Sequence, residues 1–285
     1  MTKSGSCTVG FCDQCVTINS YGPGSTDLVN FLCCDLHTYT DAPVNAVYDL
    51  MIVGKKQMLS LWLEEEQLYF GDCRYELAYT LINEIIYQCI VDNRAGHAIH
   101  AGAVGSEKGG ILLPGKSGSG KSTFTTWLVF CGCNYLTDEL VILAGNDYRI
   151  HPFTRPLTLK TGSSSVLSSF LSYAPQEVVN GANGFMLPHR LVNENLPAAP
   201  PLSLILFPEY KAETTTELTK MTTALGCARL MECYVNARNI QDHGISQLAE
   251  ITRNTPIYHL TYGSFDGLHE LLDKSFPTLF RQKSR

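Results

Sequence analysis

Nowhere in the 285 residues does an apolar run approach the ~18 residues that a membrane-crossing helix needs. The opening stretch MTKSGSCTVGFCDQC also lacks the basic start and apolar core of a secretory leader. Both absences make the cytoplasm the expected location and leave no membrane partner. Positive charge is scarce: 21 Lys and Arg stand against 27 Asp and Glu, a formal net charge of −6. A duplex-binding surface needs a basic patch or stripe, so nucleic acid is not an expected partner. An acidic protein still binds a nucleotide, because backbone N–H groups, one lysine and a metal ion neutralise phosphates locally. Charged residues are few (17%) and hydrophobic residues many (45%), which excludes a disordered tail. The length suits one large domain or two modest ones.

Cysteine is not scarce. Eleven occur, with Cys7, Cys12 and Cys15 clustered and Cys33 and Cys34 adjacent. Thiolates so placed could ligate zinc. Against that, four residues separate the first two, no second CxxC follows, and adjacent cysteines in a strand face opposite ways. The other cysteines read as small buried apolar residues, and an odd total argues against a complete disulfide framework.

The chain reads as α/β. Residues 1–95 form a small α/β region, with strand-like segments at 45–53, 57–63 and 67–71 broken by Gly54 and Glu64–Glu66. Over 74–91, Leu77, Leu81, Ile85, Ile86 and Cys89 recur at helical spacing. Asp92–Gly96 is a break, and residues 96–285 form the second region. There 97–104 and 110–114 are apolar strands, 120–131 a helix and 135–144 one strand. Later, 202–207 is a buried strand, 217–235 mainly helical, 257–262 a strand and 265–275 a helix. The Ser-, Asn-, Gly- and Pro-rich stretch 161–200 is either a lid with a short helix near Val166–Leu171 or a long surface connection.

Gly115-Lys116-Ser117-Gly118-Ser119-Gly120-Lys121-Ser122 satisfies G-x-x-x-x-G-K-[ST] at every specified position, and Thr123 follows. A triphosphate needs several backbone N–H donors converging on it, and side chains would block that approach. The glycines remove them and permit positive φ. An apolar strand before the loop and a helix after it complete the context, and the helix N-terminus favours an anion. Lys121 can bridge the β- and γ-phosphates of ATP, and the Ser122 hydroxyl can ligate Mg²⁺.

Asp138-Glu139 lies beyond the P-loop helix amid Tyr135, Leu136 and Leu140. Two carboxylates in apolar company are costly unless a cation or proton is shared. One could accept a hydroxyl proton and the other help hold the metal; a solvated strand end is the plain alternative. His100, three residues after His97 in an apolar strand, is either a satisfied core histidine or a catalytic one.

HAGAV from His100, then GGILLP, GKSGSGKST and LTDEL together resemble the HPr kinase/phosphorylase-related kinases. PFTRPLTLK (152–160), LSLILFPEY and IYHLTYGSFDGLHELL are similar to the family's shorter members, including kinases encoded beside peptide-maturation genes. The resemblance covers residues 60–285. It implies a phosphoenolpyruvate-carboxykinase-like P-loop kinase domain that phosphorylates a serine on a protein or peptide with ATP and Mg²⁺. It implies that His100 is the active-site histidine and that Asp138 takes part in proton transfer from the acceptor. Relatives form assemblies, so a homo-oligomer is compatible with it. Two features depart from the family pattern. Glu139 stands where full-length members carry a second aspartate, and their downstream E-I-R-G-x-G signature is missing, with PFTRPLTLK in a comparable region. The resemblance therefore does not reach to HPr as acceptor or to the reverse phosphorylase reaction. Arg155 and Lys160 read either as phosphate or acceptor contacts or as solvated charges. The leading expectation is a serine kinase with Asp138, His100 and Lys121 catalytic and with Ser122 and Glu139 placing the metal; the alternatives are an NTPase switch and a non-catalytic nucleotide-binding partner.

Overall fold

A computed structural model describes residues 2–11, 14–36, 44–53, 58–106, 108–145, 147–192 and 199–280. The architecture is mixed α/β. The chain divides into two units: Met1–Ala95 with Phe153–Ser165 and Ser172–Pro188, and Gly96–Pro152 with Val166–Leu171 and His189–Arg285. Among the described residues no helix is long and apolar enough to cross a membrane.

Alternating side chains build the sheet of the first unit. β1 (Lys3–Phe11), β2 (Gln14–Tyr21), β3 (Val44–Val53), β4 (Met58–Leu63) and β5 (Glu66–Gly71) lie in sequence order, antiparallel except for the β2–β3 pair. Parallel neighbours need a crossover, and α1 (Ser25–Cys33) lies in it. Tyr48, Leu50 and Ile52 alternate on the buried side of β3. α2 (Arg74–Val91) sets Leu77, Leu81, Ile85 and Cys89 in one buried stripe, four residues apart, and packs on β2, β4 and β5. Each fully buried Leu or Ile contributes about 1.5–3 kcal/mol. β1 is rich in Ser, Gly and Thr and open to solvent over its first half, so its apolar pattern is weak.

The second unit begins with β6 (His97–Ser106) and β7 (Gly109–Pro114), followed by α3 (Lys121–Phe130), β8 (Asn134–Thr137), β9 (Leu140–Ala144) and β10 (Arg149–His151). Residues 135–144 are thus two strands, not the single one expected. The Thr137 hydroxyl oxygen accepts the N–H of Glu139 (3.2 Å) and of Leu140 (3.3 Å), which bends the chain at the acidic pair.

The chain then returns to the first unit through β11 (Leu157–Lys160), which pairs with β13 (Gly184–Leu187), itself paired with β12 (Val179–Asn180). α4 (Ser164–Leu167) interrupts this segment. Phe153 packs its ring 4.9 Å from that of Phe11, and Thr154 donates to the Asp35 carbonyl. The expected second region of 96–285 is accordingly interrupted by segments that pack with the first unit. Burial of Phe153, Leu157, Leu159, Phe185 and Leu187 draws them there. The stretch 161–200 carries strands and short helical turns rather than one structureless connection; residues 193–198 lie outside the described set.

β14 (Leu202–Tyr210), β15 (Glu217–Lys220), α5 (Thr223–Met231), α6 (Ile245–Asn254), β16 (Ile257–Tyr262), α7 (Leu268–Ser275) and α8 (Pro277–Phe280) complete the second unit. Its sheet runs β10-β9-β6-β7-β14-β16-β15 among the described residues, with β8 also on β6. β7, β14 and β16 are parallel. Residues 217–235 are not mainly helical: β15 pairs with β16 at the sheet edge, and Thr222 caps α5 by accepting the Leu225 N–H at 3.4 Å. Leu112, Val141, Ile205, Leu230, Leu248 and Ile251 meet in the core.

Candidate nucleotide site

The loop Gly115–Gly120 joins the fully buried β7 to α3. Gly118 and Gly120 take φ of +87° and +90°, a left-handed conformation that strains any residue with a Cβ. A Cβ on Gly115 would stand 2.8 Å from Ser119 Oγ. Gly120 caps α3 without a side-chain hydrogen bond. The loop is tied to the next strand, because Tyr210 N–H donates to the Ser119 carbonyl at 3.0 Å.

Lys121 is 7% exposed, and its ammonium donates to the carbonyls of Gly115 (2.7 Å) and Lys116 (3.1 Å). A buried ammonium needs such acceptors, and here they hold it against the loop's own backbone. Ser119 Oγ is buried with no hydrogen-bond partner among the described residues. Ser117 and Gly118 are exposed, whereas Ser122 and Thr123 are half-buried at the start of α3. Lys116 points outward and pairs with Glu232 at 3.3 Å.

The predicted chemical residues gather beside the loop through the sheet. Ala101 pairs with Pro114 across β6 and β7, which brings His100 next to Gly115. The His100 N–H donates to the Cys233 carbonyl at 2.7 Å, and the Ala101 N–H to the Glu139 carbonyl at 3.1 Å. His100 Nδ1 then meets Glu139 Oε1 at 3.0 Å, with the side chains 33% and 35% exposed. Asp138 is buried. It is 1% exposed, and its Oδ1 accepts the Tyr135 hydroxyl at 3.0 Å. The Tyr135 ring stacks on His189, with centroids 5.1 Å apart. The structure therefore joins His100 to Glu139 and buries Asp138, the next residue in the chain to Glu139.

Arg155 and Lys160 belong to the first unit. Arg155 is 2% exposed and donates to Thr158 Oγ1 at 3.0 Å, so it is not a solvated charge. Lys160 is exposed at the end of β11. Cys12, a member of the cysteine cluster, lies outside the described residues. Among the described residues, no three His, Cys, Asp or Glu side chains gather as a metal cluster.

Sequence reasoning missed the cavity beside the loop. It measures about 340 Å³ and is lined by Gly115, Lys116 and Ser119, by Phe207 of β14, by Arg229 of α5 and by His259 of β16. Parallel β7, β14 and β16 end on this side, and open α/β sheets bind ligands at the carboxyl ends of their strands. Burial, then the charge of Arg229, pushes His259 below its ordinary value, while Glu209 at 3.1 Å works in the opposite direction. Glu209 is held below the usual carboxylate range chiefly by its hydrogen bond from Lys211.

The residues fit a nucleotide with Mg²⁺. The glycine-shaped loop leaves room for phosphate oxygens, and the orphaned Ser119 Oγ lies at its rim. Mg²⁺ in such sites keeps waters and phosphate oxygens and takes only one or two protein oxygens. The hydroxyl of Ser122 and the carboxylate of Glu139 are hard donors of that kind. The chain matches no family model and no curated protein sequence.

Proposed function

We propose that this protein is an ATP-dependent kinase that transfers the γ-phosphoryl group to a serine hydroxyl of a protein or peptide. The observation that carries this reading is the loop between β7 and α3, with Lys121 folded onto its carbonyls and the His100–Glu139 pair beside it. The resemblance to HPr kinase-related enzymes, with their phosphoenolpyruvate-carboxykinase-like fold, supports it through the order of HAGAV, GKSGSGKST and LTDEL.

Loop N–H groups and Lys121 bind the triphosphate, the ammonium exchanging its hold on the Gly115 and Lys116 carbonyls for phosphate oxygens. Ser122 and Glu139 would hold Mg²⁺, which supplies charge neutralisation on the phosphates. His100, fixed at Nδ1 by Glu139, receives the acceptor's hydroxyl proton as that oxygen attacks phosphorus. Asp138 is too buried to touch an acceptor in this conformation. It braces the bend through Tyr135. Most of the rate enhancement then comes from positioning and fixed charge.

The test is incubation with ATP–Mg²⁺ and serine-containing peptides, read by mass spectrometry beside Lys121→Ala. A gain of one phosphate on the acceptor, lost in the variant, is expected. ATP consumption at the same rate with and without acceptor would replace the kinase with a hydrolytic switch. Nucleotide binding without any turnover would point to a non-catalytic partner protein.

A further inference from the structure

One cation in the cavity beside the loop is in no contact ion pair among the described residues. Arg229 sits in the last turn of α5, half-buried, with its guanidinium 5.9 Å from the ring centroid of Phe207. Lys116 pairs with Glu232 at 3.3 Å, and the Glu209 carboxylate, in contact with Lys211 and His259 at 3.1 Å each, acts on Arg229 only at longer range. Arg229 has no carboxylate within 4.0 Å among the described residues. Holding a guanidinium partly out of water with no carboxylate in contact leaves its donors for another anion, and its planar fork matches phosphate oxygens.

Its surroundings say which anion it serves. The cavity that Arg229 lines shares Gly115 and Lys116 with the seat of the Lys121 ammonium. In loops of this kind that ammonium reaches the β- and γ-phosphates, so the cavity lies on the terminal-phosphate side. We propose that Arg229 binds the terminal phosphoryl group of a nucleoside triphosphate seated on the loop and is the residue by which the site distinguishes triphosphate from diphosphate. The inference rests on the nucleotide reading above. During transfer the bond from phosphorus to the β–γ bridging oxygen breaks and one to the acceptor oxygen forms. Arg229 gives up no proton and spreads the charge on the phosphoryl oxygens. Phe207 holds the guanidinium by its ring face.

Calorimetric titration of ATP–Mg²⁺ and ADP–Mg²⁺ into wild type, Arg229→Gln and Arg229→Lys tests this. In Arg229→Gln, ATP affinity should fall about ten- to a hundredfold while ADP affinity stays within about twofold. Arg229→Lys should fall between, since it keeps the charge and loses the fork, and it stands in if the glutamine variant melts without a cooperative transition. Equal losses for ATP and ADP, or no loss for ATP, would overturn the role of Arg229 and leave the loop reading intact. Wild-type protein that bound neither nucleotide would overturn both.

Discussion

His100 Nδ1 lies 3.0 Å from Glu139 Oε1, so an imidazole on β6 and a carboxylate just past the Thr137 bend share one contact beside the phosphate loop. Residues acting as a unit are non-additive when removed. His100→Ala should reduce phosphoryl transfer about 10²- to 10⁴-fold. Adding Glu139→Gln to it should cost less than Glu139→Gln costs alone, because only the share that Glu139 has in the metal site remains to be lost. Rates for the four proteins of this cycle measure it; full additivity would mean that the contact carries no function.

Asp138 gives a contrasting expectation. At 1% exposure it holds Tyr135 rather than an acceptor, so Asp138→Asn should lower transfer by less than about tenfold and leave ATP affinity unchanged. If single-turnover assays showed Asp138→Asn dead and His100→Ala active, the proton would belong to Asp138, as the sequence alone suggested.

Lys121→Ala removes the one buried ammonium of the loop. Turnover should fall by about 10²-fold or more, because a fixed charge on the transferring group is lost. Equilibrium ATP titration and transfer rates together separate weakened binding from lost chemistry.

Two loop glycines should differ in their tolerance of a methyl group. At Gly118 an added Cβ meets open space, so Gly118→Ala carries only left-handed strain, about 1 kcal/mol. At Gly120 it would lie 2.8 Å from Tyr262 Oη and 3.0 Å from Tyr210 Cβ, so Gly120→Ala should cost about 2–4 kcal/mol. Urea denaturation of both variants checks the order.

His97 sets a pH dependence. Its Nδ1 lies 2.7 Å from the Tyr234 hydroxyl, and burial pushes its pKa below the ordinary 6.5. The unfolded chain therefore takes up a proton first as pH falls. This contribution to stability is intact above about pH 6.5 and is lost progressively as pH drops through the folded value. Melting temperatures between pH 7.5 and 5 should fall more steeply for wild type than for His97→Gln; parallel curves would remove His97 from the account.

The strand–loop–helix around Lys121 was legible because glycines, lysine and serine at fixed spacing sit between an apolar strand and a helix. α2 was legible from four buried residues at helical spacing. What local pattern could not show was tertiary. A Thr137 side-chain bond splits one apolar run into β8 and β9, and a short edge strand, Glu217–Lys220, forms only because β16 is there to pair with it. Arg229 drew no notice because nothing in CARLM marks it, and only the fold places it beside Gly115. Of the two readings open for Arg155, the solvated charge fails because the chain's return buries it.

That return has a consequence for synthesis. A ribosome delivers β7, the loop and α3 while the first unit still lacks β11, β12 and β13. The first unit cannot close until Pro188 has emerged, roughly 5–20 s after Ala95 at ordinary elongation rates. The two units therefore mature interleaved in time, and no single cut through the chain releases either one whole.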